Sequence, residues 1–468
     1  MNKDFVRPLL LIVFTILALG LIAQFIPGCE KGKTKIKPFS WFSNLKNIGK
    51  ADSTSAAIVA AAKINSELVP LEPFVRKLKS GSPVRIAYFG DSIIEGDLIT
   101  AQLRHNLQTQ YGGSGVGLVP ITSIVAGFRQ TIRHTFSKNF ETISLMSPRG
   151  NTNPGFGGYV FIPRNYYSIE KPVETQNSAS TADSLADSTS VSATPIPTEE
   201  PKKVVQKQYV NTNPWVEYAG ATIAGGSATF TRIRLFYSHA HSGSYVLVSR
   251  NGESATKYPL MPGEAVQALD LSGASPVSKI RLEFSASDPI HLYGVSFDQR
   301  TGVFVDNISV RGYSGMYFDR ISVDNIRSFQ KYMNYDLIVL QYGENVSNPN
   351  TKDYSFYYKG MLKTIEHIRK AIPEIPILIV SAHDRSVNQK GGFMTSPDIP
   401  ILVTTQAKIA KDSGSGFWNL LDAMGGLNSM STWVKANPPL ASKDFTHFNR
   451  AGANKIGDML TKVITQGG

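Results

Sequence analysis

The sequence predicts an α/β fold interrupted by an inserted antiparallel β-sandwich, on three observations. Short apolar runs alternate with amphipathic stripes over residues 71–118 and again over 301–468, the stretch 119–300 between them carries strands of period two, and glycine-rich turns separate those strands. At 468 residues the chain exceeds one ordinary domain. With 42% hydrophobic and 18% charged residues it holds enough apolar side chain to bury real cores.

The run from Pro8 to Gly28 has no charged residue. At about 1.5 Å per helical residue it is long enough to cross a hydrocarbon layer of about 30 Å. Residues 1–29 therefore read as a transmembrane anchor or signal. Lys3 and Arg7 precede the run, and export of the C-terminal part to the cell envelope, periplasmic or extracellular, is expected. The single cysteine, Cys29, follows Ile26-Pro27-Gly28 in a context resembling a lipoprotein cleavage box, so lipidation stays open beside an uncleaved helix, which we favour. One cysteine excludes disulfides and thiol redox chemistry from the folded part. Residues 30–70 read as a basic spacer, with six lysines between Glu30 and Lys50 suited to anionic headgroups or wall polymer. The net charge of +12 also fits nucleic acid, but no nucleic-acid motif accompanies it, and no such partner is expected.

Leu71 to Ser80 predicts a short helix and Val84 to Phe89 a buried strand. Leu98 to Gln110 then sets Ile99, Leu103 and Leu107 on one helix face. Tyr111 to Pro120 is glycine-rich and is expected to be a loop. In the central region Ile233, Leu235 and Tyr237 alternate with Arg232 and Arg234, and Ile280, Leu282 and Phe284 with Arg281 and Glu283, the pattern of half-buried strands. Val173 to Lys203 is rich in Ser, Thr, Ala, Pro and acid with no aromatic residue, and is expected to be disordered. From Val303 strands and helices alternate again: apolar runs at Leu337 to Leu340 and Ile377 to Val380, a helix stripe of Met361, Leu362, Ile365 and Ile368, and a last amphipathic helix through Ile456, Met459, Leu460 and Val463.

In such sheets functional groups collect in loops beyond the carboxyl ends of strands. Four segments stand there: Gly90-Asp91-Ser92, Gly312-Tyr313-Ser314-Gly315, Gly343-Glu344-Asn345 and Asp444-Phe445-Thr446-His447. They resemble, in order, the four consensus blocks of the SGNH/GDSL hydrolase superfamily, over about residues 84–109 and 303–468. The resemblance implies a flavodoxin-like three-layer α/β/α domain with a five-stranded parallel sheet, and no cofactor or metal. It implies Ser92 as nucleophile, His447 as base and Asp444 as the carboxylate that orients the imidazole. The residue types suit the chemistry: a serine hydroxyl is a weak nucleophile until a base takes its proton, and the base needs a fixed tautomer. The oxyanion hole carries over to the Ser92 and Gly315 N–H groups and the Asn345 side chain, Gly315 being preferred to Gly312 for its place in Tyr-Ser-Gly. Asp91 is expected to be structural.

A sandwich inserted between the first two blocks, with GGSGVGLVP after the first helix, is similar to peptidoglycan O-acetylesterases. That likeness implies an acetylated envelope glycan as substrate and a sandwich resembling a carbohydrate-binding module. Trp215 and Tyr218 are candidates to stack on sugars, with core packing weighed ahead for each. Glu344 departs from the Thr often found in this branch. The expected function is a membrane-anchored serine esterase removing O-acetyl groups from a glycan such as peptidoglycan. An O-acetyltransferase of the same fold and a non-catalytic, membrane-tethered glycan-binding protein remain as alternatives. His239 and His241, two apart on an expected strand, would face one side and permit a metal pair, but no third ligand is evident. His383-Asp384 follows a strand end and is open to both cleft lining and loop hydrogen bonding. Gly112 to Gly117 lacks the G-K-[ST] of a phosphate loop and is rejected as one.

Overall fold

The computed structural model describes residues 64–147, 152–172, 203–389 and 391–466. The Pro8 to Gly28 run, Cys29, the lysine-rich segment to residue 50 and residues 173–202 of the low-complexity stretch lie outside the described residues. Among the described residues no helix is long and apolar enough to cross a membrane.

A five-stranded parallel sheet forms the centre: β1 (Val84–Gly90), β2 (Val303–Ser309), β3 (Leu337–Gln341), β4 (Ile377–Val380) and β5 (Gly416–Trp418). Its spatial order is β2-β1-β3-β4-β5, every pair parallel, the order 2-1-3-4-5 of flavodoxin-like sheets. All of β1 is buried because both faces are covered. Ile86 and Tyr88 pack with α1 (Glu72–Lys79), α2 (Leu98–Tyr111) and the last helix, Arg450–Gln466. Ala87 and Phe89 point the other way, to α3 (Val323–Met333), α4 (Ser355–Ala371) and α5 (Ile399–Ser413). Period-two alternation along one continuous apolar run thus serves two cores at once.

Between β1 and β2 the described residues build two large antiparallel sheets and a two-stranded one, Tyr166–Pro172 with Lys203–Tyr209. One large sheet orders Thr256–Pro259, Tyr245–Arg250, Lys279–Phe284, Trp215–Gly220 and Ile132–Phe136; the other orders Gln267–Asp270, Arg232–Ser238, His291–Asp298, Tyr159–Pro163 and Phe140–Ser144. Ile233, Leu235 and Tyr237 meet Val216, Val246, Ile280 and Leu282 in a core between the sheets. The opposite face of the second sheet is buried too. Phe236 stacks on Phe329 of α3, Tyr293 meets the same ring edge to face, and Val160 and Ile162 join the same core. The sandwich therefore shares a core with the α/β part instead of hanging from it by a linker. Buried charge reinforces the seam: Arg85 of β1 donates to both Asp306 oxygens at 2.7 Å and to Asp298 at 3.0 Å.

Three expectations are corrected here. Residues 115–119, expected to be loop, form a strand paired with His291–Asp298. Glycine is what permits it, since a Cβ on Gly117 would lie 2.2 Å from Asp306 Oδ1 and one on Gly115 2.3 Å from the Phe297 carbonyl oxygen. Residues 64–70, read as the end of a spacer, belong to the fold: Glu67 and Phe417 exchange backbone hydrogen bonds, and Ile64 and Leu68 pack on the cores. The strand through Ile233 ends at Ser238, and His239 takes φ +55°, which breaks the alternation. His239 stacks on His291 at 3.9 Å while His241 turns to Asp288 at 3.2 Å, so the two histidines have separate partners.

Candidate active site

Ser92 lies in the turn that follows β1, and His447 in the loop that precedes the last helix. The fold closes 355 residues of sequence separation to 3.1 Å between Ser92 Oγ and His447 Nε2. His447 Nδ1 lies 2.7 Å from Asp444 Oδ2. The Asp444 carboxylate also organises its own loop, accepting the N–H groups of Thr446 and His447, each at 3.0 Å, on Oδ1. Partial burial works to raise the Asp444 pKa. The bonds from His447 and Thr446 outweigh it and hold the carboxyl below the usual range. The imidazole thus sits between a hydroxyl and a carboxylate, with Nδ1–H pinned to Asp444 and Nε2 free to take the Ser92 proton.

The loop holding His447 is braced from outside. A hairpin of Ser386–Gln389 and Gly392–Thr395 lays Phe393 flat on Phe445, with ring centroids 3.7 Å apart. Ser386 N–H donates to the Phe445 carbonyl at 3.1 Å. Sequence reasoning missed this hairpin, whose strands are four residues each and carry no apolar alternation.

The expected oxyanion donors converge less simply. Asn345 Nδ2 donates to Asp91 Oδ2 at 2.7 Å and to the Tyr313 carbonyl at 3.2 Å, so both N–H groups are engaged. Asp91 in turn accepts the Ile93 N–H at 3.0 Å and so shapes the turn that carries Ser92. Burial pushes the Asp91 carboxyl up to about 7. Gly315 has φ +87° and packs so tightly that a Cβ would lie 2.6 Å from the Tyr342 ring; Gly312 is exposed and open. Asn345 therefore links the first block to the second, and for an oxyanion to use its amide the longer bond, to Tyr313, is the one to yield. Asn345→Ala is expected to lower kcat by about 10²- to 10³-fold, the usual cost of one oxyanion donor. Steady-state hydrolysis of a small ester by the variant checks this.

Other candidates fall into place as packing. Tyr218 is buried, stacked on His134 with Phe297 tilted against it and its hydroxyl on the Pro120 carbonyl at 2.8 Å, and presents no face to a sugar. Arg281 covers one face of the Trp215 ring at 3.9 Å. His383 and Asp384 are buried beneath the site, Asp384 accepting the Met430 N–H at 2.7 Å.

No family model matches this sequence, and no curated protein matches it. Among solved structures the chain is similar to a peptidoglycan O-acetylesterase, at 20% identity and TM-score 0.63, over 86% of this chain and 98% of that one. It also aligns with a carbohydrate esterase family 2 enzyme plus carbohydrate binding domain from Corynascus thermopiles (Myceliophthora fergusii), at 13% identity and TM-score 0.26, over 55% and 94% of the two chains. A GDSL-like lipase from Bacteroides ovatus aligns at 12% identity and TM-score 0.25, over 55% and 84%. The first likeness extends over most of both chains and carries the conclusion on architecture. This chain shares the fold of that structure.

Proposed function

We propose that this protein is a carbohydrate O-acetylesterase acting through an acyl-enzyme on Ser92. The observation that carries the reading is the unbroken line from Ser92 Oγ through the His447 ring to Asp444, at 3.1 and 2.7 Å. In the proposed sequence His447 Nε2 takes the Ser92 proton as Oγ attacks the acetyl carbonyl, and returns it to the departing sugar oxygen. Water, deprotonated by the same nitrogen, then releases acetate and restores Ser92. The Ser92 and Gly315 N–H groups and the Asn345 amide are the proposed stabilisers of the tetrahedral oxyanion.

Similarity to a peptidoglycan O-acetylesterase supports an acetylated envelope glycan as substrate. The uncharged run at Pro8 to Gly28 supports a membrane-anchored protein with its catalytic part in the cell envelope. The side chains of His447 and Asp444 are 43% and 50% exposed, which gives water the access to the acyl-enzyme that the proposed hydrolysis needs. Full-length protein incubated with O-acetylated peptidoglycan is expected to release free acetate and to label at Ser92 with a fluorophosphonate. Acetate appearing mainly on a glycan acceptor would turn the reading to transfer. No release from acetylated glycans or small acetyl esters would overturn it.

A further inference from the structure

Glu344 and His383 are two ionisable side chains beneath the site that the proposed reaction does not use; His383 is buried, and Glu344 is nearly so, with both carboxyl oxygens out of solvent. His383 Nε2 lies 2.8 Å from the Thr446 carbonyl oxygen. A carbonyl only accepts, so Nε2 carries the proton, and in the neutral ring Nδ1 presents a lone pair. Glu344 Oε1 lies 3.1 Å from Nδ1, within ion-pair range but off the line of the lone pair, so a small side-chain rotation brings the two into register. Neither Glu344 oxygen has a hydrogen-bond partner of its own among the described residues. A carboxylate left unpaired out of solvent is strongly disfavoured, whereas a carboxylic acid donating to Nδ1 satisfies both groups.

We propose that Glu344 and His383 form a proton-sharing strut that positions His447: the Glu344 carboxyl donates to His383 Nδ1, and His383 Nε2–H holds the carbonyl of Thr446, the residue before the base. The inference rests on the reading of Ser92 and His447 as the catalytic pair. One proton serves the two residues, and the strut is neutral whichever of them carries it. It joins the third block to the fourth, so the loop bearing Asn345 and the loop bearing His447 move as one body. Glu344 and His383 act here as positioning residues; neither touches the reacting atoms.

The surroundings favour the protonated strut. Burial pushes Glu344 up to about 8 and, on His383, holds the imidazolium back, to about 4. The Arg385 cation and His447 pull Glu344 down, while Asp398 at the start of α5, Asp384 after β4, and Asp91 after β1 repel its charge, and Tyr357 of α4 faces it from the remaining side. Above about pH 8 the strut loses its proton, and a carboxylate then opposes the Nδ1 lone pair. The loop is released and turnover falls on the alkaline side.

The test compares full-length wild type with Glu344→Ala, Glu344→Gln, His383→Phe and Ser92→Ala for acetate release between pH 5 and 10. Glu344→Ala and His383→Phe are each expected to lower kcat by about 10- to 100-fold, as for a slightly misplaced base. KM should change by no more than about threefold, and the double variant should be no worse than either single one. Glu344→Gln keeps a donor toward Nδ1 at every pH, and is expected to restore most of kcat while removing the alkaline fall. Wild-type kcat and pH profile in Glu344→Ala would overturn the proposal, as would an alkaline fall unchanged in Glu344→Gln; the latter variant decides alone if the alanine variant does not fold. Undiminished activity in Ser92→Ala would instead sink the catalytic reading, and the strut with it.

Discussion

Ser92→Ala is expected to lower kcat for acetyl-ester hydrolysis by roughly 10⁴- to 10⁶-fold without changing the fold. The size follows from what is removed. The hydroxyl is the atom that would carry the acyl group, and His447 Nε2, 3.1 Å away, is the base that would take its proton. His447→Ala is expected to cost about as much, and the double variant no more, because groups that act in one step do not contribute additively. Asp444→Asn should be milder to comparable, at about 10⁴-fold or less. An amide in place of Oδ2, now 2.7 Å from Nδ1, favours the tautomer with its proton on the wrong nitrogen. The measurement is acetate release with thermal melting run in parallel. Equal losses of activity and folding would count against the assignment.

The second large effect concerns stability. Arg104→Met is expected to destabilise the protein by about 3 to 5 kcal/mol, the usual cost of breaking a buried ion pair from one side. Arg104 is 0% exposed, and its guanidinium makes five hydrogen bonds. Two go to Asp97 at 2.8 Å, two to the Val305 carbonyl of β2 and one to the Gly225 carbonyl in the inserted region. Asp97 also accepts Thr100 and Thr131 and faces Arg129 at 3.3 Å. Burial alone would raise its pKa, but these cations and donors depress it well below the carboxylate range. Since Asp97 is only five residues after Ser92, loosening it unsettles the nucleophile turn as well as the seam with the sandwich. Arg104→Lys is expected to recover little, because an ammonium cannot reproduce the planar fork. Urea unfolding checks the magnitude, and Arg104→Met with Asp97→Asn should cost less than the sum of the single changes.

Much of the molecule was legible in residue order because local rules govern it. The Val84 run and the stripes at Ile99 and Met361 were readable as strand and helices, since period and burial are properties of a few adjacent residues. The short strand at 115–119 was not readable, because its glycines are explained by Asp306 and Phe297, nearly two hundred residues away. Tyr218 has the composition of a sugar platform and the position of a core residue, and nothing next to it in sequence tells the two apart. Glu344 stood out only as a departure from a pattern. Its importance comes from His383 and Thr446, which reach it from two other loops.

By itself the sequence determined the alternation of elements, the sandwich between β1 and β2, and the residue types able to carry acyl chemistry, all of which depend on spacing along the chain. The tertiary structure alone decided that the sandwich shares its core with the α/β part, that Asp91 holds Asn345, and that a nearly buried acid and a buried imidazole lie beneath His447. The physical reason is burial. Whether a carboxyl keeps its proton, or an aromatic ring meets solvent, is set by what surrounds it in space, and sequence neighbours supply little of that surrounding.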